Sequence, residues 1–236
     1  MEGLSKVGYY KDISFTLHKG EILALTGLVG AGRTEVCQGI FGIAPPDEGN
    51  IYLEGKKISI KEPLDALKQG IGYLPEDRQK QGLILDWSLC NNVTLSTLEK
   101  FTKNTVINRK QERNRAKELL EKVATKAVSV FDKASSLSGG NQQKVIVAKI
   151  LNSDLKVIIL DEPTKGVDVG AKAQIYEIMS DLAAQGFGII MISSEMPEVL
   201  GMADTIAVMR EGRISKIFTD AGSVTQEQIL EAAMNI

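Results

Sequence analysis

The 236-residue sequence has one histidine, one tryptophan and two cysteines, and aromatic residues make up only 5% of it. The cysteines, Cys37 and Cys90, lie far apart, which excludes a disulfide framework or a zinc ribbon and fits a reducing compartment. A mechanism that needs a histidine general base would have to use His18. Because His18 lies where a predicted strand meets a turn, an exposed strand-end residue is the simpler interpretation.

The sequence also lacks an apolar run of the ~20 residues that a membrane-spanning helix needs, and its N-terminus has no signal-peptide core. Its formal net charge of -2 gives no reason to expect nucleic acid as a partner. Hydrophobic residues at 43% and charged residues at 25% are ordinary for a globular protein. We therefore expect a cytosolic protein made of one large domain or two small ones.

Apolar periodicity predicts local structure along the first part of the chain. Residues 12–26 are expected to form two strands joined by a turn, followed by a helix over 34–41. Short strands around 51–53 and 57–60 are expected to form an antiparallel part.

The middle of the chain, residues 77–136, is rich in charge and has helical spacing, notably over 109–123. Its basic residues could indicate a nucleic-acid surface, but Glu112, Glu118 and Glu121 lie among them. A solvated helix face is therefore the preferred interpretation.

Strands and helices alternate in the rest of the chain, which implies a parallel sheet with crossover helices. The predicted strands are 157–160, 188–192 and 205–209, and the predicted helices between them are 171–184 and 196–201. Near the end, Thr225-Gln-Glu-Gln228 is typical of a capping box that opens a last short helix.

A glycine-rich loop follows the second strand and opens a helix, which is the context that a phosphate-binding loop requires. Glycines let backbone N–H groups turn toward an anion, and the helix N-terminus adds partial positive charge. Thr34 is placed to offer its hydroxyl to Mg²⁺, and an ordinary strand–turn–helix junction is the alternative. The candidate phosphate-binding residues are Gly27, Leu28, Val29, Gly30, Ala31, Gly32, Arg33, Thr34 and Glu35.

Two carboxylates end the apolar strand 157–160, which is the Walker B arrangement. We expect Asp161 to hold Mg²⁺, directly or through water, and Glu162 to orient and polarise the attacking water as the catalytic residue. The simpler alternative is an acidic strand end that caps the next element, but a phosphate loop in the same chain disfavours it.

A third motif stands at the start of a predicted helix, shortly before the Walker B strand, and consists of Leu137, Ser138, Gly139, Gly140 and Asn141. A serine and two glycines before a helix again favour anion binding. An ordinary capped helix would be the simpler interpretation, but the motif and its position shortly before the Walker B strand resemble the ABC signature. It is the most specific feature of the sequence.

The three motifs occur in cassette order, and the sequence resembles an ATP-binding cassette over almost its whole length. Their details resemble the C-terminal cassette of the two-cassette subunit of bacterial carbohydrate importers, as do Tyr73-Leu-Pro-Glu-Asp-Arg78 and Asp161-Glu-Pro-Thr-Lys-Gly-Val-Asp168. That group includes ribose, galactose, xylose and autoinducer-2 importers. The resemblance implies an α/β P-loop fold with a mainly parallel core sheet flanked by helices, a small antiparallel β part and an inserted helical subdomain.

Within one cassette over 1–236, the resemblance implies a core with the antiparallel part in 1–76 and 145–236, and a helical subdomain in 77–144. We expect the chain to be half of a longer protein that carries two cassettes. ATP and Mg²⁺ are the implied ligands. The implied partners are a sister cassette, membrane-spanning permease subunits and, indirectly, a solute-binding protein, at the inner face of the cell membrane.

Several positions depart from the general cassette pattern. Arg33 stands where a lysine would contact the phosphates, Glu76 where the Q-loop has glutamine, and Ser194 where the switch histidine would be. Asn141 replaces the usual signature glutamine, while Asp168 fits the D-loop position.

The residue that would stack on adenine is left open by the sequence. Val7 lies near the expected position, and Tyr9 or Tyr10 are the aromatic alternatives.

Because cassettes pair head to tail, each ATP would lie between one phosphate loop and the other cassette's signature. This chain's phosphate site lacks three usual groups, so we expect it to bind nucleotide but hydrolyse it slowly. Its residues 138–140 would instead complete the sister cassette's site. The segment 83–90, with Trp87, is expected to receive the permease, and a core tryptophan is an equally simple interpretation.

Two other functions compete with an importer ATPase. A soluble ABC ATPase of DNA repair or translation would call for a coiled coil, a zinc module or a basic surface, none of which the sequence has. A regulatory cassette that binds ATP without hydrolysis would fit the altered positions 33, 76 and 194, but the intact Glu162 argues against it.

Overall fold

A computed structural model describes residues 1–234, which form twelve strands and eight α-helices. The strands are β1 (Glu2–Lys6), β2 (Tyr10–Ile13), β3 (Ile22–Gly27), β4 (Glu48–Leu53), β5 (Lys56–Ile58), β6 (Ile71–Leu74), β7 (Thr102–Lys103), β8 (Val106–Ile107), β9 (Val157–Asp161), β10 (Gly188–Ile192), β11 (Thr205–Arg210) and β12 (Arg213–Phe218). The helices are α1 (Arg33–Phe41), α2 (Pro63–Gln69), α3 (Leu89–Thr94), α4 (Arg109–Lys122), α5 (Gly139–Leu151), α6 (Val169–Ala184), α7 (Met196–Met202) and α8 (Gln226–Met234). None of the helices in this range is long and apolar enough to span a bilayer.

The chain divides into two compact units. The core unit comprises Met1–Tyr73, Lys156–Glu162 and the chain from Met179 onward. The helical unit comprises Leu74–Leu155 and Pro163–Ile178.

The core unit contains a six-stranded sheet with the order β12-β11-β3-β10-β9-β6. Strands β11, β3, β10 and β9 run parallel, and β12 is antiparallel to β11 at the edge. The register pairs Ile192 of β10 with both Leu25 of β3 and Asp161 of β9. As a result, the phosphate loop and the two carboxylates lie together at the carboxyl ends of these parallel strands.

A second, antiparallel sheet with the order β2-β1-β4-β5 completes the strands of the core unit. It confirms the antiparallel part expected around 51–60. The first strand predicted within 12–26 is wrong in its length, because β2 ends at Ile13. The carbonyl of Phe15 accepts a hydrogen bond from the amino group of Met1, at 2.8 Å, instead of joining a strand ladder. His18 is exposed at the following turn, as expected.

Helices α3, α4 and α5 pack together in the helical unit. Glu118 and Glu121 lie on the solvated face of α4, as predicted, but the expectation for Glu112 is wrong. Glu112 is buried and accepts hydrogen bonds from Thr94 at 2.9 Å and Arg109 at 3.0 Å. These two donors offset the cost of burying its charge.

Helix α5 begins at the signature and lies close to the start of α6. A Cβ placed on Gly140 would come within 2.5 Å of the Cβ of Ala171, so a side chain at this position has no room. One turn later, the ammonium of Lys144 donates to the carbonyl of Ala124 at 2.8 Å and to Gln174 at 2.7 Å. Burial lowers the pKa of Lys144, with a smaller contribution from nearby Lys126.

We expect Gly140→Ala to destabilise the protein by about 1–3 kcal/mol, because the added methyl group overpacks the contact between α5 and α6. Urea denaturation would measure the change. The control is Gly201→Ala in α7, where a Cβ meets no atom within 4 Å and the free energy of unfolding should stay the same or rise. Equal effects of both substitutions would contradict the packing argument.

Candidate functional site

The glycine-rich loop connects β3 directly to α1. Gly32 has a φ of 94° and forms the N-cap of α1, a conformation that a residue with a side chain rarely adopts. Within the loop, the amide of Ala31 donates to the carbonyl of Leu28 at 3.1 Å. Leu28 and Val29 are exposed, with 50% and 94% of their surface accessible, and Glu35 lies in the first turn of α1. The geometry is that of an anion-binding helix N-terminus.

Thr34 and Asp161 meet at the edge of the parallel sheet. The hydroxyl of Thr34 donates to Oδ1 of Asp161 at 3.2 Å, and Oδ2 accepts from the phenol of Tyr73 at 2.8 Å. Asp161 is fully buried. Burial raises the pKa of Tyr73, and the adjacent Asp161 carboxylate raises it further. The phenol therefore stays protonated and holds one oxygen of the carboxylate in place.

This pair of oxygen donors fits Mg²⁺. The ion prefers hard oxygen ligands and is usually held by one or two protein oxygens together with water and phosphate oxygens. Tyr73 engages only Oδ2, so Oδ1 of Asp161 and the Thr34 hydroxyl face each other as the donors for a metal. The described residues contain no cluster of three or more His, Cys, Asp or Glu side chains suited to a metal, so a site here would depend on phosphate and water ligands.

Glu162 has an unusual backbone conformation for a residue with a side chain, with a φ of 48°. Such a conformation costs of order 1–3 kcal/mol and persists only where surrounding contacts hold it. Its amide donates to the carbonyl of Ile192 at 3.0 Å. Its Oε2 accepts from the hydroxyl and the amide of Ser194, at 3.1 and 3.3 Å. The carboxylate is thus fixed by the residue at the expected histidine position.

Arg33 is buried and points to the same carboxylate. Its Nη1 lies 3.8 Å from Oε1 of Glu162 and donates to the carbonyl of Ser193 at 3.0 Å. The Arg33 and Glu162 side chains are only 10% and 11% exposed, so water screens this pair weakly. Two of the predicted departures, Arg33 and Ser194, therefore converge on one group, Glu162.

A cavity of about 560 Å³ is lined in part by Val7, Tyr9 and Tyr10. A Cβ on Gly32 would lie 3.2 Å from the carbonyl of Tyr9, which shows how near the loop is. Tyr10 is buried, with 4% exposed, whereas Tyr9 is 57% exposed and Val7 is 87% exposed. Of the two aromatic alternatives, only Tyr9 is exposed.

The other predicted residues lie in the helical unit. Ser138 forms the N-cap position of α5, yet its hydroxyl makes no capping bond. Instead, its Oγ accepts from the side-chain amide of Asn141 at 3.0 Å, and Asn141 itself accepts from the amide of Lys126 at 2.8 Å. Asn141, the replacement for glutamine, therefore orients the signature serine.

Glu76 and Asp168 both have partners within the helical unit. Glu76 forms an ion pair with Lys165, with 2.5 Å between Oε1 and Nζ. Oδ1 of Asp168 accepts from the amide of Ala171 at 3.0 Å and so caps the start of α6. The roles of these positions in nucleotide chemistry stay predictions.

The ABC transporter family matches residues 10–165. The chain is 48% identical, over 99% of its length, to the ribose import ATP-binding protein RbsA of Lacticaseibacillus paracasei. It is also 48% identical, over 95% of its length, to the protein of the same name from Lactococcus lactis subsp. lactis. The chain belongs to the ABC transporter family of ATP-binding cassettes. It spans about half the length of these curated relatives, with 46% of each covered.

Solved structures confirm the cassette fold. A nucleotide-free ATP-binding cassette from an ABC transporter matches with a TM-score of 0.81 at 23% identity, covering 100% of this chain and 93% of that one. A dimeric bacterial ABC transporter cassette matches with a TM-score of 0.79 at 21% identity, covering 95% of this chain and 100% of the other. The predicted α/β P-loop fold, with its mainly parallel sheet and antiparallel part, is therefore correct.

Tyr73 contacts a predicted site residue, Asp161, although no sequence pattern assigned a role to Tyr73 itself. Its bond to Asp161 joins residues 88 positions apart, and no local pattern predicts such a pair. Its place at the end of an apolar strand, before Pro75, was the only available signal.

Tyr73→Phe is expected to destabilise the cassette by about 1–3 kcal/mol, because it removes a hydrogen bond from a buried carboxylate. The free energy of unfolding in urea is the measurement. Tyr9→Phe, at an exposed ring, should change it by less than about 0.5 kcal/mol. Equal values for the Tyr73→Phe variant and the unsubstituted cassette would show that the bond is unimportant.

Tyr10 generates a prediction about alkaline pH. Burial, followed by the electrostatic interactions with Asp47 and Cys37, raises the pKa of Tyr10 from 10.0 to about 12. The stability that depends on its neutral form is complete below pH 10 and is lost as the pH rises from 10 through about 12. Tyr10→Phe should therefore unfold less readily than the unsubstituted cassette by about 1 kcal/mol at pH 11. At pH 8 the free energies of unfolding of the two proteins should differ little. A difference that is the same at pH 8 and pH 11 would contradict the raised pKa of Tyr10.

Proposed function

We propose that this cassette powers a bacterial importer of a sugar or sugar-like solute by binding and hydrolysing ATP. The observation that carries the proposal is its 43–48% identity, over nearly the whole chain, to ribose import ATP-binding proteins. The transported solute would be chosen by other subunits, because the cassette's chemistry concerns only the nucleotide.

The core unit supplies the proposed nucleotide site. The phosphates would lie against the N–H groups of residues 27–35, with the Thr34 hydroxyl and Asp161 holding Mg²⁺. The metal would neutralise phosphate charge, as in other phosphoryl-transfer sites. Tyr9, which is exposed and whose carbonyl lies near Gly32, would stack its ring on adenine.

We also propose that this site hydrolyses ATP slowly. Glu162 is the candidate for orienting the attacking water, but its carboxylate is engaged by Ser194 on one oxygen and lies near Arg33 on the other. Arg33 is itself bound to the Ser193 carbonyl and is not free to act only on phosphate. Losing one preorganised contact to a transition state commonly costs ~2.7–4 kcal/mol, and such losses are not additive.

The signature would complete the ATP site of a sister cassette. The Ser138 oxygen accepts a bond from Asn141, so its proton remains available for donation to an anion. The adjacent N-terminus of the 13-residue helix α5 adds favourable dipole charge. The asymmetry that we propose is thus a weak hydrolytic site of its own and a well-formed signature for its partner.

The remaining partners follow from the family. The sister cassette would lie in the same polypeptide, since the curated relatives are about twice as long. The helical unit would be the inserted subdomain that meets the permease at the inner face of the membrane. There, Ile84 and Trp87 are 39% and 42% exposed, and the buried Asn92 binds the amide and carbonyl of Ile84, at 2.8 and 3.0 Å. A rigid, partly apolar loop of this kind suits docking.

Uptake by the complete transporter tests the asymmetry. Ser138→Arg should abolish uptake, because it blocks the site that the signature completes, whereas Glu162→Gln should leave most of it. Ser135→Arg, three residues earlier at an exposed position of the short 3-10 helix Ala134–Ser136, is the matched control and should have little effect. Loss of uptake in Glu162→Gln, together with normal uptake in Ser138→Arg, would sink the proposed asymmetry.

A further inference from the structure

Arg78 connects two loops of the helical unit that are distant in sequence. Its Nη1 donates to the carbonyl of Lys165 at 2.8 Å, and its Nη2 donates to the carbonyl of Gly166 at 3.2 Å. These carbonyls belong to the turn 164–167, in which the amide of Val167 donates to the carbonyl of Thr164 at 3.2 Å. The planar guanidinium is well suited to hold two neighbouring acceptors at once.

Glu76 binds a side chain of the same turn, that of Lys165. Its Oε1 lies 2.5 Å from Nζ of Lys165 and forms an ion pair with it. Arg78, two residues after Glu76, binds the backbone carbonyl of the same lysine. Between them, Asp77 accepts from the amides of Gln79 and Lys80, at 3.1 and 3.0 Å, and fixes the local backbone. The segment 76–78 therefore binds both the backbone and the side chain of the turn.

The guanidinium of Arg78 also lies against the signature. A Cβ on Gly139 would come within 2.8 Å of Nη2 of Arg78 and 3.4 Å of the carbonyl of Gly166. Glycine at this position lets the start of α5 approach both groups closely. Arg78 is thus packed between the turn 164–167 and the signature glycine.

We propose that Glu76, Arg78 and Lys165 form a clamp that sets the position of the signature relative to the turn 164–167. Arg78 is a positioning residue, because it acts through Gly139 and the two carbonyls. Glu76, at the Q-loop position, serves the clamp as the counter-ion of Lys165. The effect of the clamp on hydrolysis rests on the proposed function, in which the signature completes a partner's ATP site.

Hydrogen exchange of the Val167 amide in this chain tests the clamp directly. Glu76 and Lys165 have side chains that are 43% and 62% exposed, so Glu76→Gln leaves the fold intact and loosens only the turn. Exchange should be roughly fivefold faster in Glu76→Gln and roughly tenfold faster in Arg78→Gln. Unchanged exchange in both variants would overturn the proposal.

Two further measurements separate the clamp from general destabilisation. The charge-reversed double variant, Glu76→Lys with Lys165→Glu, should return hydrogen exchange of the Val167 amide toward the original rate. Added salt should speed exchange in the unsubstituted chain and have less effect in Glu76→Gln, because salt screens an exposed pair. If the double variant did not recover the original rate and salt had no effect on hydrogen exchange, the ion pair would be refuted as the cause.

The matched control is Asp154→Asn, which removes a comparably exposed pair of the helical unit. Asp154 lies 2.9 Å from Lys100, and the side chains are 95% and 38% exposed. This substitution should leave exchange at Val167 unchanged. Faster exchange in Asp154→Asn, equal to that in Glu76→Gln, would attribute the effect to the whole unit and overturn the clamp.

ATP hydrolysis by the complete transporter gives the functional arm. Arg78→Gln should lower kcat with little change in KM, because it displaces the signature and leaves the phosphate loop intact. Arg78→Lys should restore kcat in part. Unchanged kcat with faster exchange would refute the role in hydrolysis. If Ser138→Arg left uptake intact, the proposed role of the signature in a partner's ATP site would fail, while the hydrogen-exchange result would still decide the clamp.

Discussion

The parallel pairing of β10 between β3 and β9 is the constraint on which the core unit depends. It pairs Ile192 with Leu25 and with Asp161, so a phosphate loop and a pair of carboxylates that are more than 120 residues apart leave the sheet together. A shift of this register would separate Thr34 from Asp161. Each strand is apolar and almost fully buried, so the sheet has little freedom to adopt another register.

The residues of the site that depart from the general cassette pattern, Arg33 and Ser194, both contact Glu162. Arg33 is longer than lysine and reaches both Glu162 and the Ser193 carbonyl. Ser194 is shorter than histidine and binds Glu162 through both its hydroxyl and its amide. The positive φ of Glu162 is held by these contacts. Together they form a compact network around the Glu162 carboxylate. In the general cassette pattern, this carboxylate would instead orient the attacking water.

The helical unit shows a similar relation between a motif and its packing. The signature glycines look like an anion-binding loop in the sequence. In the structure they also let α5 approach Arg78 and Ala171, where Cβ atoms would not fit. Anion binding and close packing therefore both require glycine at these positions, and the motif alone does not distinguish them.

The sequence by itself determined the α/β class, the order of the central strands and helices, and the positions of the loop, the carboxylates and the signature. It also predicted the Thr225–Gln228 capping box, in which each side chain bonds the other residue's amide. These are local patterns of periodicity and capping. The edge strand β12, the burial of Glu112 and the bond between Tyr73 and Asp161 were not predicted from the sequence. Strand β12 pairs with β11 across the short turn between Arg210 and Arg213, so it is a local hairpin that the sequence could have indicated. Only the tertiary structure decided the other two, because Glu112 and Asp161 accept hydrogen bonds from Thr94 and Tyr73 of other elements, and side-chain contacts between elements leave no local periodic signal.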